Sequence, residues 1–201
     1  MNDIWFGTTK SPQESLEKAI ELAQKAIALD DGLPDGHAIL GYLYCYRREY
    51  DKAIVEGERA IAINPSGAWV HSLCGLILTY AGRPEEAIQL IKKAIRLNPF
   101  GQIWYYIYLG HAYRSAGRFE EGVAAYKQAL LASPDNIFGH VNLAAIYGMM
   151  GREKEARDEA AEVLRINPKF SLDNWARTMS VFKDQSLIDN VIGALRKAGL
   201  K

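Results

Sequence analysis

The chain has 201 residues, 49% of them hydrophobic, and its 24 basic and 24 acidic side chains cancel to a net charge of zero. That balance disfavours wholesale nucleic-acid binding, which leans on clustered cations, and no run of about 18 apolar residues exists to span a bilayer. Two cysteines, Cys45 and Cys74, are too few for a disulfide framework and suit a reducing, cytoplasmic setting.

Taken in chain order, residues 1–10 read as an irregular tail whose sizeable apolar pair is Trp5 and Phe6, with no signal-peptide pattern. Ser11-Pro12 opens a helix predicted to run to about Leu29, and Asp30-Asp31-Gly32 closes it. Four units of paired helices follow, over 34–67, 68–102, 103–136 and 137–170. The stretch Gly82 to Pro99, GRPEEAIQLIKKAIRLNP, shows their punctuation. Gly82 supplies a left-handed stop and Pro84 suits a first helical turn. Glu85 and Glu86 meet the positive end of the helix dipole. Ala87, Ile88, Ile91, Ala94 and Ile95 recur at helical spacing until Asn98-Pro99. Between paired helices the turns read Gly82-Arg83-Pro84, Gly117-Arg118-Phe119 and Gly151-Arg152-Glu153, but Arg48-Glu49-Tyr50 puts arginine where glycine is expected. A local backbone cost is predicted there. After Phe170 the pattern degrades: Ser171-Leu172-Asp173 starts a helix to about Ser180, and Asp184 caps another to about Ala198. Its apolar stripe, Leu187, Ile188, Val191, Ile192 and Leu195, predicts packing back onto the fourth unit.

The repeat is carried by matched positions. Asn64-Pro65, Asn98-Pro99, Ser133-Pro134 and Asn167-Pro168 lie 34, 35 and 34 residues apart, and Gly41, Gly75, Gly110 and Ala144 keep the same differences. Ala53, Ala87, Gly122 and Ala156 open the second helices; Ala60, Ala94, Ala129 and Val163 close them. Small residues at fixed places let two helices approach closely. The extra residue of the second unit must fall in Phe100-Gly101-Gln102, since inside a helix it would rotate later contacts by about 100°. This spacing and order resemble the tetratricopeptide repeat, a helix–turn–helix unit of 34 residues. The resemblance implies an all-α, right-handed α-solenoid whose residues 11–33 form a half-repeat and whose residues 171–201 cap the end. The segments GRPEEA, IWYYIYLGHAYRSAGRFEE, INPKFSLDNW and LRKAGL also resemble repeat regions that follow the catalytic part of some bacterial class III adenylate or guanylate cyclases. That likeness implies a regulatory region of a larger signalling enzyme, with no catalytic segment among these residues.

No chemistry-bearing motif accompanies the repeats. A phosphate-binding glycine loop and a nucleophile elbow are both lacking, so no enzymatic activity and no cofactor are expected. His37, His71 and His140 share one repeat position, but repeats spaced about 10 Å apart cannot share ligation at about 2 Å. These rings read as packing residues, and no metal site is predicted. Cys74 takes a core slot, whereas Cys45 lies on the other helix face and reads as accessible.

The information about partners sits on the first helix of each unit. With one face used for packing, the other points into the concave side, which the family resemblance implies is the ligand surface. The candidate groove residues are Tyr42, Tyr46, Trp69, Leu76, Tyr80, Trp104, Ile107, His111, Arg114, Phe138, Val141 and Asn142. Trp69, Trp104, Phe138 and Leu172 hold one position in successive units and predict an apolar stripe. Such a face marks an interaction site. A carboxylate-clamping site known in the family would need other residues than Ala38 and Tyr42, leaving Asn142 alone of suitable type. The reading is therefore a scaffold that binds an apolar or aromatic peptide or helix. The alternative is self-association, in which the groove takes a segment of another copy or the Trp5-Phe6 tail.

Overall fold

The computed structural model describes residues 11–100 and 103–201; Trp5, Phe6 and the Gly101-Gln102 part of the insertion lie outside the described residues. Every element among the described residues is helical. The first is α1 (Pro12–Leu29), capped by Ser11 Oγ, which accepts from the Glu14 N–H at 3.3 Å. Four helix pairs follow: α2 (Pro34–Tyr46) with α3 (Tyr50–Ile63), α4 (Ala68–Tyr80) with α5 (Pro84–Leu97), α6 (Ile103–Ser115) with α7 (Phe119–Ala132), and α8 (Ile137–Met149) with α9 (Glu153–Ile166). Then come α10 (Leu172–Met179) and α11 (Gln185–Lys197). This is the all-α solenoid class that the repeat spacing predicts.

The chain divides into two compact units. The first runs to Phe100 and includes Ser180–Lys183. Within it α1 packs on α2, and α4 packs on α2, α3 and α5. Its core is built from alanines and aliphatics that face inward from both helices of a pair, such as Leu43, Ala53, Ile77, Ala87 and Ile91. The second unit, Gly101–Met179 with Asp184–Lys201, holds α6 to α9 and the two final helices. There α11 packs on α8, as its apolar stripe predicts.

Two details explain how tightly a pair closes. A Cβ added to Gly110 would stand 2.3 Å from the Tyr126 ring, so α6 and α7 meet at a distance only glycine allows. The turns between paired helices place Gly82, Gly117 and Gly151 at φ of 81°, 72° and 74°, and Arg48 takes the matching place at φ 58°. The left-handed region is costly for a residue with a Cβ. Beyond three of these turns one stitch recurs: Arg83 on Glu86, Arg118 on Glu121 and Arg152 on Glu155, each three residues apart. Exposed pairs of this kind add little stability but fix the entry of the second helix.

Candidate protein-interaction site

On the inner face of the first unit, α2 presents Tyr42 and Tyr46 one turn apart, which places both rings on one side of the helix. Their hydroxyls lie 2.8 Å apart and their rings meet edge to face at 5.3 Å. Tyr80, at the end of α4, brings its ring to 6.3 Å from Tyr42. Trp69 is half-buried at the start of α4, and Leu76 is buried within that helix.

This face carries a piece of the same chain. The non-helical segment Ser180–Lys183 lies on it, with Val181 1% and Phe182 3% exposed. The Phe182 ring meets Tyr80 edge to face at 4.7 Å. All four of the segment's carbonyls accept hydrogen bonds. Arg48 donates to Ser180 O at 2.8 Å, Phe182 O at 3.2 Å and Lys183 O at 3.4 Å, while the Tyr50 hydroxyl donates to Val181 O at 3.2 Å. In the other direction, the Lys183 N–H donates to Tyr80 O at 2.8 Å. The guanidinium of Arg48 and the ammonium of Lys183 both sit over the Tyr50 ring, at 5.7 and 5.9 Å. The costly backbone at Arg48 thus aims a forked donor at a run of main-chain carbonyls.

In the second unit α6, α8 and the capping helix α10 line up aromatic rings. Trp104 of α6 meets Phe138 of α8 at 5.3 Å, and Phe138 meets Trp175 of α10 at 5.6 Å. Tyr108, one turn after Trp104, extends the row at 6.2 Å. These four rings are each half-buried. Deeper on the same helices, Ile107, Arg114, Val141 and Asn142 are buried. Arg114 donates to Asn142 Oδ1 at 2.6 Å, and the Asn142 amide donates to Phe138 O at 2.7 Å. His111 Nδ1 hydrogen-bonds the Tyr126 hydroxyl at 2.9 Å. Burial, helped by the Arg114 charge, holds His111 well below its ordinary pKa, and burial pushes Tyr126 up to about 12. Both groups are therefore neutral near pH 7. Helix α11 covers part of α8's inner face: a Cβ on Gly148 would come within 2.9 Å of Ala194.

The histidines of the repeat position serve as clasps. His37 Nδ1 lies 2.6 Å from Glu56 and its Nε2 3.1 Å from Asp31 O. His140 repeats this with Glu159 at 2.6 Å and Pro134 O at 2.7 Å, and His71 keeps only the bond to Pro65 O at 2.8 Å. Each ring ties a first helix to the loop before it, and two of them also to the second helix. Among the described residues no group of three or more potential ligands gathers as a metal site. The expectation for Cys45 is corrected. It is fully buried and bonded to Gly41 O at 3.6 Å, and burial raises its thiol to about 12, as it does that of Cys74. Its helix face is covered, so periodicity alone misjudged its access.

The structure thus brings Tyr42, Tyr46 and Tyr80 together in one place, and Trp104 and Phe138 in another. Leu76, Ile107 and Val141 act as packing residues, and Leu172, placed in the stripe by its repeat position, is buried with Trp175 as the next partly exposed ring. Sequence reasoning did not single out Trp175, Tyr50, Val181 or Phe182. The signal for Trp175 was its place one turn after Leu172; nothing in the repeat register pointed to Val181 and Phe182.

Comparison with known proteins agrees with this architecture. Residues 110–151 match a family described as TPR repeat, and residues 73–100 match one described as tetratricopeptide repeat. No curated protein matches. Among solved structures, PilW, a type IV pilus biogenesis factor, is 19% identical with a TM-score of 0.73, covering 92% of this chain and 83% of its own. A thermophilic TPR protein of Thermus thermophilus is 25% identical with a TM-score of 0.69, covering 83% and 90%. MamA is 21% identical with a TM-score of 0.61, covering 78% and 91%. None of these three is a cyclase, and the likeness to a cyclase-linked region has no support here. Matched spacing, paired helices and two repeat families converge: the chain carries tetratricopeptide repeats.

Proposed function

We propose that the chain is a non-catalytic protein-interaction scaffold that takes an apolar or aromatic peptide segment along Trp104, Phe138 and Trp175. The repeat family supports the general role, since it presents helix faces to protein partners. The observation that carries the finer reading is the ring row itself. Its members stay half-buried while the helix positions beneath them, such as Ile107 and Val141, are closed. Rigid aromatic area of this kind supplies binding energy at small entropic cost. Arg114 bonds Asn142, Asn142 bonds Phe138 O and His111 bonds Tyr126, so these groups shape the floor under the rings.

A peptide selected from a displayed library against the wild-type chain supplies the probe. Trp104→Ala combined with Trp175→Ala is expected to weaken that peptide by about 2 kcal/mol or more, with the helical circular dichroism retained. Full affinity in a folded double variant overturns the reading.

A further inference from the structure

The contacts of Ser180–Lys183 look like those of a bound ligand. Four consecutive carbonyls are read by two side chains of the α2–α3 turn, and an apolar–aromatic pair is buried against tyrosines. Main-chain hydrogen bonds carry no side-chain information, so the same donors serve any segment that presents its carbonyls in this path. Specificity then comes from the places that hold Val181 and Phe182. Arg48 maintains a left-handed backbone at a position where three sister turns use glycine, and its side chain serves these carbonyls.

We propose that the inner face of the first unit is a receptor for a non-helical protein segment carrying an apolar–aromatic pair, and that Ser180–Lys183 is its resident occupant. A partner segment of the same chemistry gains the face by displacing it. The resident segment competes from within the molecule, so a partner meets an apparent affinity lowered by the fraction of time the face is uncovered. This goes beyond the ring row of the second unit, and either site stands or falls without the other.

A fluorescent peptide with the sequence of residues 178–185, TMSVFKDQ, tests the proposal by anisotropy on the full chain. The variant Val181→Ser/Phe182→Ser is expected to bind it at least about tenfold more tightly than the wild type does. Adding Arg48→Ala to that variant is expected to remove most of the gain. Equal binding to wild type and variant, or binding to neither, overturns the proposal and leaves the segment as a closing link only. If the variant is unfolded by circular dichroism, the wild type decides the matter. Excess unlabelled peptide is expected to speed tryptic cleavage after Lys183, and an unchanged rate counts against displacement.

Discussion

Arg48 shows how one residue can be wrong for its backbone and right for its surroundings. Its φ of 58° belongs to the region that the glycines of the sister turns occupy. Two substitutions separate the parts. Arg48→Ala and Arg48→Gly both lose the carbonyl contacts, but only alanine keeps the left-handed cost. The alanine variant is therefore expected to be less stable by about 1 kcal/mol in urea denaturation. Equal stabilities would show that the turn relaxes. The mismatch itself was legible in the sequence, because three glycines define what the turn requires. Its use was not, since the carbonyls it serves lie more than 130 residues away in the chain.

At the scale of the helix pair, close approach and clasps do the holding. Gly110→Ala forces a Cβ into the Tyr126 ring, at 2.3 Å, and an expected loss of about 1–3 kcal/mol follows from overpacking. Gly122→Ala meets only the tip of Ile146 and is expected to cost less, which thermal unfolding of the two variants compares directly. The clasp between α8 and α9 carries a pH signature. His140 is held above its ordinary pKa, first by its hydrogen bond to Glu159 and further by the charges of Glu159 and Glu162, against the opposing effect of burial. Its contribution to stability is thus fully present below the unfolded value of about 6.5 and is lost as pH rises through the raised folded value. Glu159→Gln is expected to lower Tm more at about pH 5.5 than at about pH 8.5; an equal loss would remove the clasp from the account. His111 has the opposite sign, since its depressed pKa withdraws stability as pH falls below about 6.5. Helix pairs were legible because caps, turn glycines and alanine positions recur locally. Burial within them was not: the periodicity that placed Ile107, Val141 and Leu76 on the inner face says nothing about what covers that face.

For the whole chain, the repeat order predicts a run of first helices with an open inner side, and the two units each depart from it. Phe182 and Val181 lie against the tyrosines of one, and Ala194 of α11 against Gly148 of the other. Both covers come from residues after Phe170, where the repeat pattern fades and sequence reading had only a stripe to follow. The stripe on α11 was enough to predict that it folds back, because five apolar residues on one helix side need a partner. Val181-Phe182 offered no such periodicity, being two residues in a non-helical link.

The covering residues also stand late in the order in which a ribosome makes the chain. At about 5–20 residues per second, α2 and α4 are finished several seconds before Val181 and Phe182 are joined, and α8 some seconds before α11. During that interval Tyr80 and its neighbours on the inner face lack the cover of Val181 and Phe182. Newborn chains are thus more exposed to holding chaperones and to mutual sticking until Val181 and Phe182 are joined, and a pause between Met149 and Ser180 lengthens that exposure.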